Sequence, residues 1–146
     1  DSPIDPSSGR LMALDGIDSS GFRSKRLTPQ IAMSSDLILC FTERQHKKIV
    51  TLAPRVRTRT YPLNDFANLC KYFSENNLLQ GTTIEDRLRE VMYNTSMVRH
   101  MIPQAADIAD PYNKDFQAFQ TAHDQIGYAI ADIAAALEPT RGAHAS

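Results

Sequence analysis

Among the longest unbroken apolar stretches of the chain is Leu37-Ile38-Leu39-Cys40-Phe41, set between Asp36 and Thr42. A run without polar alternation suits a strand covered on both faces. Directly after it, Thr42 followed three residues on by Gln45 makes a capping box. His46, Ile49, Val50 and Ala53 then fall on one face of a helix that Pro54 ends. Arg59-Thr60-Tyr61-Pro62-Leu63 reads as a second short strand. Strand, helix, strand in that order is the pattern of an α/β unit with parallel strands.

Further along, apolar residues recur at helical spacing. Asn64 is placed to cap a helix that turns Phe66, Ala67, Leu69, Cys70 and Phe73 inward, and Glu75 to Gly81 reads as a loop. Thr83 with Asp86 opens a helix to about His100, with Ile84, Leu88, Val91, Met92 and Val98 inward. Met101 to Lys114 is a long connection carrying Asp107, Asp110 and Pro111, and long connections without structure of their own are often functional. The last helix, Asp115 to Leu137, puts Phe116, Phe119, Ile126, Ile130, Ile133 and Leu137 on one stripe.

Toward the start, Asp5-Pro6 gives a cap followed by proline, which predicts a short helix through Leu11, Met12 and Leu14, stopped by Gly16. Gly16 to Gly21 is turn chemistry, Phe22 to Arg26 a polar, basic connector, and Thr28-Pro29 opens a helix of about two turns. The pattern as a whole predicts one α/β domain over residues 1–137 and a flexible Ala-, Gly- and Ser-rich tail over 138–146.

Composition narrows the functions. At 146 residues and 42% hydrophobic the chain holds one real core and is too short for two. A net charge of -1, from 16 basic and 17 acidic residues, gives no excess that points to nucleic acid or a membrane surface. No apolar run approaches the roughly 20 residues that span a bilayer. The two cysteines, Cys40 and Cys70, sit in apolar segments without metal-type spacing, and read as reduced core thiols of a cytoplasmic protein. No metal and no cofactor are expected. Arg44, Lys47, Lys48, Arg55, Arg57 and Arg59 are concentrated in one region, which reads as a solvated face or, more sharply, as an attractor of a phosphorylated partner.

Three stretches in order carry a family resemblance: Pro3-Ile4-Asp5-Pro6 with Gly16-Ile17-Asp18 and Gly21-Phe22-Arg23-Ser24-Lys25; Asp36 to Thr42 with His46; and Asp107-Ile108-Ala109-Asp110-Pro111-Tyr112 before an amphipathic helix. Together they resemble the C-terminal two-thirds of a low-molecular-weight protein tyrosine phosphatase. The resemblance implies a three-layer α/β fold around a parallel four-stranded sheet of order 2-1-3-4, of which this chain supplies the third and fourth strands and most helices. It also implies phosphomonoester hydrolysis through a cysteinyl-phosphate intermediate, with a phosphotyrosine protein such as a tyrosine kinase as partner. By the same resemblance Asp110 is the general acid and base, Pro111 stiffens its loop, and Tyr112 flanks the substrate ring.

The family's phosphate loop, a cysteine followed after five residues by arginine, is not in this sequence. His46 stands six residues after Cys40 and Asn76 six after Cys70. This chain alone is therefore expected to lack a nucleophile and to be inactive. As isolated patterns, Asp110-Pro111-Tyr112 is turn chemistry, Asp107 is a solvated loop charge and His46 a packed or capping histidine. Without the family's first two strands, the strand at 36–41 is expected to have an open edge, to be completed by a further N-terminal segment or another chain. The alternatives are a catalytically inactive, phosphatase-like binding module and an arsenate reductase on the same scaffold, which needs a redox cysteine pair that Cys70 alone does not provide.

Overall fold

In the computed structural model, which describes residues 10–17, 21–108 and 115–139, the apolar run at 37–41 lies at the centre of a four-stranded sheet. Strands β1 (Arg10–Leu14), β2 (Arg23–Arg26), β3 (Leu37–Cys40) and β4 (Thr60–Pro62) lie in the order β2-β1-β3-β4. Every residue of β3 is fully buried. Leu37 and Leu39 enter the larger hydrophobic cluster and Ile38 and Cys40 the smaller one, as a strand covered on both faces requires. Helices α1 (Pro29–Ser34) and α2 (Glu43–Leu52) cover the smaller cluster through Ala32 and Ile49. Helices α3 (Leu63–Glu75), α4 (Ile84–Val98) and α5 (Phe116–Leu137) contribute to the larger one. The chain is an α/β domain.

The sheet is mixed. β3 and β4 are parallel, with Ile38 opposite Thr60 and Leu39 opposite Tyr61, while β1 runs antiparallel to both β2 and β3. The expected sheet is all-parallel with only its third and fourth strands from this chain; the parallel sense holds only for β3 and β4, and all four strands come from this chain. Arg10–Leu14, expected to end a helix, is a strand: Leu11 and Ala13 are buried on one face, Met12 and Leu14 on the other. Apolar residues at four successive positions fit either period, and pairing on both sides decides for the extended one. The earlier part of that expected helix, residues 5–9, lies outside the described residues.

The edge of β3 expected to lie open is occupied by β1, with Met12 opposite Leu39 and Ala13 opposite Ile38. Residues 23–26 of the expected connector form the outer strand β2. Its Arg and Lys residues discourage a further strand from adding there.

Helix starts follow the capping chemistry with one exception. Thr28, Thr42 and Thr83 each accept a hydrogen bond from the backbone N–H three residues on. α3 instead begins at Leu63 with Pro62 at the cap position, and Asn64 lies inside the helix. The apolar stripe of α5 is shorter than the pattern suggested. Phe116 is 72% exposed, because contact with the core begins at Ala122 and continues through Ala129, Ile133 and Leu137. Ile84 is likewise outward, while Leu88, Val91 and Val98 of α4 are buried. Among the described residues no helix is long and apolar enough to cross a membrane.

Candidate functional site

The carboxyl end of the parallel pair is where open α/β sheets place their ligands, and here the chain fastens a loop to it. Thr42 Oγ1 accepts from Gln45 N at 3.0 Å, and Gln45 Oε1 accepts from Phe41 N at 2.8 Å, so the strand end and the first turn of α2 hold one another. The loop at residues 102–108 crosses this corner. Asp107 Oδ1 accepts from Glu43 N at 2.9 Å, which satisfies an orphan donor of α2 with a carboxylate at the positive end of the helix dipole. Ile108 N donates to Phe41 O at 3.0 Å and its side chain is buried. Asn64 Nδ2 donates to Ala106 O at 3.0 Å. These bonds tie three consecutive loop residues to the end of β3 and the starts of α2 and α3. Asp107, expected to be a solvated charge, is exposed yet bonded as an anchor.

Asp110 and Tyr112, the residues assigned to catalysis and substrate binding by resemblance, lie outside the described residues. The cysteines are inside them and are unfit as nucleophiles. Cys40 and Cys70 are fully buried, and burial pushes both thiols far above their ordinary range. Cys40 Sγ donates to Tyr61 O at 3.5 Å. A reactive cysteine needs a lowered pKa and access, and these have neither. His46 is packed: its Nε2 lies 3.1 Å from Thr60 O and its Nδ1 3.8 Å from Glu43. Among the described residues no group of three His, Cys, Asp or Glu side chains is placed to hold a metal ion.

A concave region runs along β4 from its amino end. It is a cleft of about 860 Å³ between the 3-10 turn Pro54–Arg59 with β4 on one side and α4 on the other. Four arginines line it, Arg57, Arg59, Arg89 and Arg99, and among the described residues no carboxylate does. Two are committed to the fold. Arg59 donates through Nε to Ser35 O at 2.8 Å and through Nη2 to Met33 O at 3.1 Å. Arg99 ion-pairs with Asp65, whose side chain is only 4% exposed. Arg89 lies 3.9 Å from Asp86 on the exposed surface of α4, a pair of little energetic weight.

The basic run in the sequence held two of these arginines. It missed Arg89 and Arg99, although Arg89, Met92, Tyr93, Ser96 and Arg99 follow helical spacing and form one face. That face was hidden because the reading of α4 followed its apolar positions. No family model matches the chain, and neither a curated protein nor a solved structure matches it.

Proposed function

We propose that this chain is the acid-loop portion of a low-molecular-weight phosphotyrosine protein phosphatase, with Asp110 as general acid and base and Tyr112 beside the substrate ring. The observation that carries the reading is the triple anchor of residues 106–108 on the carboxyl end of β3, two residues before Asp110 in the sequence. An acid loop must present its carboxylate repeatedly in one place, first to protonate a leaving phenolate and then to take a proton from water. A loop fixed at the ligand-binding end of the sheet suits that task.

On this reading the phosphatase fold is a three-layer, all-parallel sheet in which β3 and β4 are the third and fourth strands. Neither buried thiol attacks phosphorus, so the thiolate, and the arginine and backbone amides that hold the phosphoryl oxygens, come from outside these 146 residues. The partner is a phosphotyrosine protein in the cytoplasm.

The test is p-nitrophenyl phosphate hydrolysis by the polypeptide purified from its natural source, with Asp110→Asn introduced into the same polypeptide. The expected result is a loss of about a hundredfold or more in kcat, with a much smaller loss for a 2,4-dinitrophenyl leaving group that needs no proton. An absence of hydrolysis from the native polypeptide would favour an inactive phosphatase-like binding module instead.

A further inference from the structure

The cleft along β4 contains donors that the fold itself does not use. Among the described residues the side chains of Arg57, Thr58 and Ser96 have no hydrogen-bond or ion-pair partner, and all three line the cleft. Arg57 and Thr58 come from the 3-10 turn and Ser96 from α4, so these donors face one space from both walls. Arg89, which the fold does engage and which pairs with Asp86 on the surface, places a further guanidinium on the α4 side. Met92, half-buried, and Tyr93, 90% exposed, give the same wall an apolar and an aromatic surface. The cavity's volume falls within the range of small-molecule sites, roughly 300–1,000 Å³.

We infer that this cleft is a binding site for a small aromatic phosphate, separate from the carboxyl-end corner of the sheet. The sign of the ligand follows from the lining, in which, among the described residues, four guanidinium groups are present and carboxylates are not. Its phosphate follows from the planar fork of arginine, which matches two phosphoryl oxygens at once, with hydroxyl donors beside it. Its aromatic body follows from Tyr93 and Met92, which give a flat ring something to lie against. Arg59, held by the Met33 and Ser35 carbonyls, adds to the positive potential, whereas the charge of Arg99 is offset by Asp65, and both brace the walls rather than move toward the ligand. A bare inorganic anion would use the cations and leave the apolar wall wet. An extended peptide needs a groove longer than a cleft bounded by a single 3-10 turn and a few turns of one helix.

The experiment uses this 146-residue chain and phenylphosphonate, an aryl anion that no phosphatase hydrolyses, with benzyl alcohol as the neutral control and inorganic phosphate as the anion without a ring. Amide chemical shifts map the site and calorimetry gives the affinity. The expected result is perturbation centred on Arg57 to Tyr61 and Met92 to Ser96, with phenylphosphonate tighter than phosphate and no binding of benzyl alcohol. Arg57→Ala and Arg89→Ala should each weaken binding by about tenfold, and their circular dichroism should match that of the parent chain. Raising the salt from about 50 to 200 mM should weaken it further. Perturbation centred on residues 107–112, unchanged affinity in both arginine variants, or equal affinity for phosphate and phenylphosphonate would each overturn the inference. Those outcomes concern binding alone and leave the phosphatase reading to be judged by hydrolysis.

Discussion

The two ends of the parallel β3–β4 pair use polar groups in opposite ways. At the carboxyl end the donors and acceptors satisfy one another: Thr42, Gln45, Asp107 and the Phe41 and Ile108 main chains form a closed set of hydrogen bonds that fixes a loop. Along β4 toward its amino end, guanidinium groups gather without carboxylates among the described lining residues, and Arg57 stays unengaged by them. Internally satisfied groups rigidify and position. Unengaged donors in a concave surface select a ligand from outside. One end holds its own chain still, while the other gathers arginine side chains along one cleft.

The arginines of the cleft give the largest effect by which this contrast can be broken. Asp65 is buried and Arg99 is its ion-pair partner, so Arg99→Ala leaves an uncompensated buried carboxylate and should cost about 3–5 kcal/mol in urea unfolding. Arg57→Ala removes an unengaged surface cation and should stay within about 0.5 kcal/mol of the parent chain. Similar costs for the two would mean that the cleft does not divide into bracing and receiving arginines.

The carboxyl-end anchor should show a smaller and more local effect. Asp107→Ala removes a charge-assisted cap on α2 and should cost about 1 kcal/mol. Amide exchange should quicken at Glu43 and Ile108 while the amides of Arg57 to Tyr61 keep their protection. If protection changed equally at both places, the two ends would not be separable.

The thiols give the smallest effect, and their pH dependence has a definite sign. Burial raises Cys40 and Cys70 above their usual value of 9.0. In the unfolded chain both ionise near that value while the folded chain keeps both protons, so the unfolded state loses protons first. Stability is then fully present below pH 9 and declines as the pH rises above it. Neither thiol should react with a disulfide reagent such as 5,5′-dithiobis(2-nitrobenzoate) in the native state, and both should react in guanidinium chloride. A fast native reaction at Cys40 would reopen the question of a nucleophile within these residues.

Much of the fold can be read directly from local chemistry. The four consecutive buried residues of β3, the threonine caps of α1, α2 and α4, and the inward face of α3 follow from patterns that a few neighbouring residues determine. What was not legible depends on partners distant in sequence. Leu11 to Leu14 became a strand because β2 and β3 pair with it on both sides, and Phe116 stayed exposed because the core reaches α5 only at Ala122. The same limit applies to the sites. Asp107 looked like a loose charge because its donor, Glu43, is 64 residues away. Arg89 and Arg99 reach the cleft only when α4 packs beside β4, where the Tyr61 hydroxyl lies 3.3 Å from Thr95 Oγ1.

The central claim is that anchoring at the carboxyl end of β3 positions the acid loop for chemistry. It is tested most directly by p-nitrophenyl phosphate turnover in the native polypeptide carrying Asp107→Ala together with Asn64→Ala, which removes two of the three loop anchors. A small displacement of a catalytic group can cost on the order of a hundredfold in rate, so the account predicts a fall in kcat of at least about tenfold with stability largely kept. An unchanged kcat in a well-folded double variant would contradict it.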